Sequence, residues 1–151
     1  MATSEQAESG GSGAAAEGAQ EIVVDTTVII AVLTNEATKG RILDLTADAT
    51  LVAPSSLDIE IGNAFSRMFK RDRIDYATAE AAIKAYLQIS IDLVDVDLVS
   101  SVKLAHDLSI YAYDAYVIDC ARRLGASLIS LDGGLLEACR RADVKIIEVT
   151  E

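Results

Sequence analysis

Three aspartates stand where a strand or loop gives way to a helix. Asp25 and Asp132 each follow a short hydrophobic run typical of a β-strand, and Asp114 begins a helical segment. At such a position an aspartate can accept hydrogen bonds from the first amides of the helix. In a parallel sheet the same position faces the crevice at the carboxyl ends of the strands, where sites form. Both roles are compatible with the sequence.

Glu60 lies in a helical segment, at the border of its apolar stripe rather than on its polar side. A glutamate at this border often extends towards solvent or pairs with a cation on the same helix, here Arg67. If the helix packs on the same edge of the sheet, Glu60 instead reaches the aspartates.

Four acids that meet at one edge would repel one another. At about 4 Å and an effective dielectric constant near 20, each pair costs on the order of 4 kcal/mol, so a divalent cation is needed to neutralise the cluster. Oxygen ligands without histidine or thiolate favour Mg²⁺ or Mn²⁺ over Zn²⁺. Metal ions held in this way cleave phosphodiesters by activating water and stabilising charge on the phosphate.

The segments that carry these acids alternate between strand and helix patterns. The predicted strands are residues 21–25, 50–54, 91–96, 127–131 and 144–149. The predicted helices are residues 26–35, 39–48, 57–71 with Ser55 or Ser56 as cap, 75–89, 99–108, 113–124 and 133–142. Strands joined through long helices need crossover connections, so the sheet is expected to be mainly parallel and covered on both faces. This pattern predicts a three-layer α/β/α domain.

The composition is that of one acidic globular domain. The chain has 151 residues, 51% of them hydrophobic, and a net charge of −11, which excludes a protein that coats nucleic acid through bulk electrostatics. Residues 1–20 are a mixture of Gly, Ala, Ser and Glu without periodicity, and we predict a disordered extension there, followed by a single domain over residues 21–150.

The sequence also predicts a cytoplasmic protein. No stretch is apolar enough to span a membrane, and the first residues lack the basic and apolar regions of a secretory signal. Cys120 and Cys139 lie in helical segments without metal-ligand spacing, so we expect reduced, buried thiols. The single histidine, His106, has no apparent catalytic partner and is predicted on a helix surface.

The four acids and their neighbours resemble a known family over residues 22–149. The segments VVDTT, LDIEIGNAF after Ala-Pro, YDA before ARRLGA, and LISLD are similar, in order and context, to the four acidic motifs of PIN-domain ribonucleases. Spacing and size are most similar to the VapC-like toxins of bacterial and archaeal toxin–antitoxin pairs.

This resemblance implies a PIN-like fold and a metal-dependent endoribonuclease that uses Mg²⁺ or Mn²⁺. It implies an RNA substrate, a cognate antitoxin with a groove to receive it, and a homodimer. Its implied metal ligands and catalytic residues are Asp25, Glu60, Asp114 and Asp132. Supporting positions are matched by Thr26, Asn63 and Ser130.

A basic cluster follows Glu60 on the same helix and just beyond it, and consists of Arg67, Lys70, Arg71 and Arg73. Arg67 and Arg71 share nearly the same ridge as Glu60, so the cluster, above all Arg67, Lys70 and Arg71, could guide an RNA backbone to the acids. A solvated helix end that complements the macrodipole is the alternative.

Two other functions compete with a nuclease. A signalling receiver domain shares the fold class, but the sequence shows neither an acidic pair at Asp25 nor a suitably placed lysine near the last strand. A non-catalytic PIN-like module that binds RNA or protein remains open.

Overall fold

The computed structural model describes residues 19–150. The predicted disordered extension, residues 1–20, lies outside the described residues except for its last two. Gln20 already pairs with Ala49 in the sheet, so the first strand begins one residue earlier than predicted.

Five strands form one sheet, and every neighbouring pair is parallel. The strands are β1 (Gln20–Val24), β2 (Ala49–Pro54), β3 (Ile91–Val94), β4 (Ser127–Ser130) and β5 (Ile146–Glu148). The helices are α1 (Thr26–Leu33), α2 (Lys39–Thr46), α3 (Leu57–Lys70), α4 (Tyr76–Tyr86), α5 (Leu98–Leu108), α6 (Ala112–Leu124) and α7 (Gly133–Arg141). Every predicted helix and strand is present, with ends shifted by at most a few residues.

Helices cover both faces of the sheet. Because successive side chains of a strand point to opposite faces, Ile22 and Val24 of β1 pack against α1 to α4, whereas Val23 packs against α5 to α7. Hydrophobic residues therefore run continuously along β1 rather than alternating with polar ones. The predicted three-layer α/β/α architecture is confirmed.

The strand order fixes where a site can form. The order is β3-β2-β1-β4-β5, so the chain leaves β1 towards one edge of the sheet and later returns to its other side as β4. A crevice opens at the carboxyl ends of the strands where the order reverses. Asp25 directly follows β1, and Asp132 lies two residues beyond β4.

The residues predicted to lie outside the site behave as expected. Cys120 and Cys139 are free and buried, and burial raises the pKa of both thiols to about 11. His106 is exposed on α5, beside Asp107. Within residues 19–150, none of the helices has the length and apolar character needed to traverse a bilayer.

Candidate active site

Asp25 is buried at the carboxyl end of β1 and receives three hydrogen bonds. The Ser130 hydroxyl donates to Oδ2 at 2.6 Å, and the Thr27 hydroxyl donates to Oδ1 at 2.7 Å. The Val28 amide donates to Oδ1 at 3.3 Å, which is a longer contact. Asp25 therefore caps α1, as one interpretation predicted, but its closest partners are the two hydroxyls.

The same two hydroxyls connect β1 to β4. Thr27 Oγ1 accepts a hydrogen bond from the Leu131 amide at 3.0 Å, and Ser130 Oγ accepts one from the Asp132 amide at 2.9 Å. Each hydroxyl thus donates to Asp25 and accepts from the chain just beyond β4. This arrangement fixes the ends of the two central strands relative to each other and places both aspartates in the crevice.

Asp132 and Asp114 differ in how they relate to their helices. Asp132 Oδ1 accepts from the Gly134 and Leu135 amides at 2.9 and 3.2 Å, so its predicted capping role is confirmed. The residue before α6 is Tyr111, and Asp114 lies within the first turn, so the capping interpretation of Asp114 is wrong. A carboxylate in that turn is still favoured by the partial positive charge of the helix amino terminus.

Glu60 turns towards the sheet edge. The Thr26 hydroxyl donates to Oε1 at 3.1 Å, and the Ser56 hydroxyl donates to Oε2 at 2.9 Å. Ser56 occupies the predicted cap position of α3, but its hydroxyl bonds Glu60 instead of a backbone amide. The interpretation in which Glu60 pairs with Arg67 is therefore not what the structure shows.

The four carboxylates influence one another electrostatically. Burial raises the pKa of Asp25 to about 6. The hydrogen bonds to Asp25 oppose this increase, and the charge of Asp132 adds to it. Burial also raises the pKa of Glu60, as do the charges of Asp25 and Asp114. The pKa of Asp114 is raised by burial and by the charge of Asp132. Within residues 19–150, no lysine, arginine or histidine forms a salt bridge with any of the four.

This donor set suits a hard divalent cation. All four side chains offer carboxylate oxygens, which Mg²⁺ and Mn²⁺ prefer, and their negative charge lacks a cationic partner from the described chain. Over the part of the chain that the structure describes, no three acidic, histidine or cysteine side chains form a preassembled ligand group. Asp25, Glu60 and Asp132 instead accept hydrogen bonds from hydroxyls or helix amides, which cation binding would have to displace or share.

A groove adjoins this site between α1, α3 and α4. It encloses about 690 Å³ and begins at Thr26 and Thr27, the residues that bond Glu60 and Asp25. Its apolar wall includes Ile30, Leu33, Met68 and Ile74.

Three arginines line this groove, and they come from the predicted basic cluster. They are Arg67, Arg71 and Arg73, whereas Lys70 is exposed outside the groove. Asn63 is exposed on α3, and its side chain makes no hydrogen bond to the four acids.

Sequence reasoning missed Thr27 and Ser56 as residues of the site. For Thr27 the available signal was a second hydroxyl residue directly after Asp25-Thr26. For Ser56 the signal was its position four residues before Glu60, one helical turn away.

A family model of the PIN domain matches residues 22–141, from the middle of the central strand β1 to the end of α7. The chain belongs to the PIN-domain family. The matched range contains all four acids. No curated protein sequence matches the chain.

Solved structures share the fold at low sequence identity. PAE2754 from Pyrobaculum aerophilum has a TM-score of 0.67 and 22% identity, with 87% of this chain and 92% of that chain covered. VapBC2 from Rickettsia felis, bound to a DNA fragment from their promoter, has a TM-score of 0.64 and 13% identity, with 87% of this chain and 100% of that chain covered. VapC20 from Mycobacterium tuberculosis, a Sarcin-Ricin loop cleaving toxin, has a TM-score of 0.60 and 20% identity, with 78% of this chain and 94% of that chain covered. This PIN domain therefore has the fold of VapC toxins.

Proposed function

We propose that this PIN domain is a metal-dependent endoribonuclease that serves, in the cytoplasm, as the toxin of a toxin–antitoxin pair. The observation that carries the proposal is the group of four carboxylates at the switch point of the sheet, three of them with raised pKa values and none with a cationic partner among residues 19–150. Such a group destabilises the fold unless it serves a charged ligand.

The acids would bind the metal, and the hydroxyls would orient the acids. Asp25, Glu60, Asp114 and Asp132 are the proposed ligands of Mg²⁺ or Mn²⁺. The bound ion would supply positive charge that activates water and stabilises the phosphate during in-line attack. Hydroxyl donors hold both oxygens of Asp25 and both oxygens of Glu60, which limits their rotation before any ligand arrives.

The arginines of the groove are proposed to bind the RNA backbone. Arg67 lies on the helix that carries Glu60, Arg71 directly follows that helix, and both line a groove that begins at the site. Neither forms a salt bridge with a carboxylate of residues 19–150, so both are available for phosphate. Lys70, exposed one residue away, would add charge at the rim. Asn63, exposed one turn after Glu60, remains a proposed supporting residue on family resemblance alone.

Cleavage of single-stranded or loop RNA is expected to require Mg²⁺ or Mn²⁺ and to stop when EDTA is added. The measurement is gel separation of a labelled RNA after incubation with each metal. Asp92→Asn, which removes an exposed acid on the edge strand β3, is the matched control and should cleave normally. Full activity in EDTA, or activity with Zn²⁺ alone, would contradict the proposed ligands, and absence of cleavage with every metal would favour a non-catalytic binding module.

The groove is also the proposed site for the antitoxin. The solved structure of VapBC2 from Rickettsia felis contains a chain with the same fold. Here the apolar wall of the groove begins at Thr26 and Thr27, which donate hydrogen bonds to Glu60 and Asp25, so a segment with apolar side chains followed by Arg or Lys would fit both the wall and the acids. We expect that cation to lie near Asp25 and Asp114, where it competes with the metal.

This charge-based inhibition can be tested with the product of the gene immediately upstream. The two proteins should co-purify, and replacing the C-terminal Arg and Lys residues of the partner should abolish inhibition of RNA cleavage. A partner with its other Arg and Lys residues replaced, and the C-terminal ones retained, is the control. Inhibition that survives loss of all C-terminal cations would refute the mechanism.

A homodimer is the proposed assembly. Large apolar side chains are exposed on and next to α2, α3 and α4, which leaves a surface that association could cover. They are Leu43, Ile59, Phe69, Tyr76 and Leu87. Sedimentation of the purified chain measures the oligomeric state directly.

A further inference from the structure

Tyrosines flank Asp114 in the sequence at the start of α6. Three of the five tyrosines of the chain, Tyr111, Tyr113 and Tyr116, lie within six residues. Tyr111 is 87% exposed and Tyr113 is 47% exposed. The rings of Tyr113 and Tyr116 meet edge to face, with centroids 5.9 Å apart and planes at 82°.

Folding alone gives no reason for these rings. Tyr111 occupies the cap position of α6, where Ser, Thr, Asp or Asn would satisfy the free amides, and its side chain makes no capping hydrogen bond. The Tyr111 side chain is too exposed to bury much apolar area, and Tyr113 gains its one described aromatic contact from Tyr116 alone. The position of the rings beside a site acid is the feature that remains to be explained.

We propose that Tyr111 and Tyr113, with Tyr116 supporting the second ring, form a stacking platform for unpaired RNA bases next to the scissile phosphate. The proposal rests on the nuclease function proposed above and names the substrate as single-stranded. Tyr111 is the cap residue of α6 and Tyr113 directly precedes Asp114, so both lie within one helical turn of a proposed metal ligand. A phosphate held at the acids would thus place the adjoining bases within reach of the rings.

The charge of the protein favours this source of affinity. A chain with a net charge of −11 and an acidic site gains little RNA affinity from bulk electrostatics. Stacking of bases on aromatic rings does not depend on net charge and accepts any base, and it requires the exposed ring faces of unpaired nucleotides.

The platform is separate from the arginine groove. That groove is lined by residues of α1, α3, α4 and adjoining loops, and none of its lining residues comes from α6. The cationic surface therefore belongs to α3 and the loop after it, and the aromatic surface belongs to the start of α6. RNA bound at the acids would contact the first surface through its phosphates and the second through its bases.

The first test measures RNA affinity in an Asp25→Asn background with Mg²⁺, so that binding is read without cleavage. Fluorescence anisotropy of a labelled single-stranded 12-nucleotide RNA gives Kd. Tyr111→Ala combined with Tyr113→Ala should weaken binding roughly 10-fold, whereas the Phe replacements should bind like the parent. Val99→Ala, which removes an exposed apolar side chain of α5, is the control and should have no effect.

Salt dependence separates the two surfaces. The Ala variants should leave the slope of log Kd against log salt unchanged, because stacking releases no counterions. Arg67→Ala should reduce that slope by about 0.7 for one lost phosphate contact with single-stranded RNA. A slope altered by the tyrosine changes would contradict stacking.

The second test removes the bases instead of the rings. RNA with abasic nucleotides at its centre should bind the Asp25→Asn chain about as weakly as intact RNA binds the double Ala variant. Abasic RNA and the double Ala variant together should show no further loss of affinity, because both changes remove the same contact. Losses that add, or Ala variants that bind intact RNA normally, would refute the platform. Dissociation of an oligomer by the Ala changes with unaltered RNA affinity would likewise refute it and assign the rings to a protein interface. Failure of the chain with native Asp25 to cleave any RNA would refute the nuclease, and the binding results would still decide the platform.

Discussion

Replacement of Asp25 by asparagine is expected to abolish RNA cleavage and, at the same time, to stabilise the metal-free protein at neutral pH. Replacement of residues that merely orient metal ligands costs about 10- to 100-fold in activity, so loss of a ligand charge should cost more than about 100-fold. The amide can keep the local hydrogen bonds, since its oxygen can accept from Thr27 and Val28 while its NH₂ donates to Ser130.

The stabilisation follows from the raised pKa of Asp25. The folded protein binds the proton of this carboxyl with a pKa of about 6, compared with the usual 3.8, so protonation favours the folded state. The stability that this proton contributes is fully present below about pH 4 and is lost as pH rises to about 6. A shift of that size corresponds to about 3 kcal/mol in the free energy of unfolding. The native chain loses this stability as pH rises, whereas the asparagine variant does not.

The measurement is urea unfolding of both proteins in EDTA from pH 4 to pH 8. The free energy of unfolding of the variant minus that of the native chain should grow as pH rises and level off above about pH 6. Added Mg²⁺ or Mn²⁺ should stabilise the native chain more than the variant. Equal stabilities across this range, or unimpaired cleavage, would identify Asp25 as only a helix cap, and Asp92→Asn should show neither effect.

Much of the fold could be predicted because its signals are local. The hydrophobic runs of β1 and β4 and the helices between the strands imply a parallel sheet, and the carboxyl ends of parallel strands meet at one edge. Asp25 and Asp132 could therefore be assigned to one crevice from sequence alone. The capping of α7 by Asp132 is equally local, because the acceptor and its amides lie within three residues.

The contacts that complete the site are not local. The bond from the Leu131 amide to Thr27 joins residues 104 positions apart, and the bond from Ser130 to Asp25 joins residues 105 apart. Sequence periodicity carries no information on such pairs. Ser56 was a different case, because a cap serine has two partners available, the helix amides and Glu60, and the packing of α3 decides between them.

Asp119 is a buried acid for which sequence reasoning proposed no role. Its side chain is fully buried in α6, and its oxygens accept hydrogen bonds from the Ser100 hydroxyl at 2.8 Å, Arg123 Nε at 3.0 Å and Arg122 Nη2 at 3.2 Å. The two arginines lie in the last turn of α6, where they complement the negative end of the helix dipole, and they also neutralise this acid. Burial tends to raise the pKa of Asp119, but the hydrogen bonds outweigh it, and the pKa lies below its usual 3.8.

Asp119→Ala is therefore expected to destabilise the protein by about 3 kcal/mol without impairing the chemistry of the folded fraction. Removing one partner of a buried ion pair costs about 3 to 5 kcal/mol, and the partial exposure of both arginines places this case at the lower end. Asp114 and Asp119 point about 140° apart around α6, so the change lies away from the acids. Thermal and urea unfolding measure the loss, with Asp107→Ala, an exposed acid on α5, as the control that should cost far less.

The pH dependence of Asp119 has the opposite sign to that of Asp25. A lowered pKa means that the contribution of Asp119 is present above about pH 4 and is lost as pH falls further, because protonation breaks its pairing with the arginines. The difference in the free energy of unfolding between the native chain and Asp119→Ala should thus shrink on acidification. In the same pH range the native chain and Asp25→Asn should become equally stable. A variant of Asp119 that keeps its stability, or that loses cleavage per folded molecule as Asp25→Asn does, would show that the buried acid belongs to the active site and not to the packing of α6 on α5.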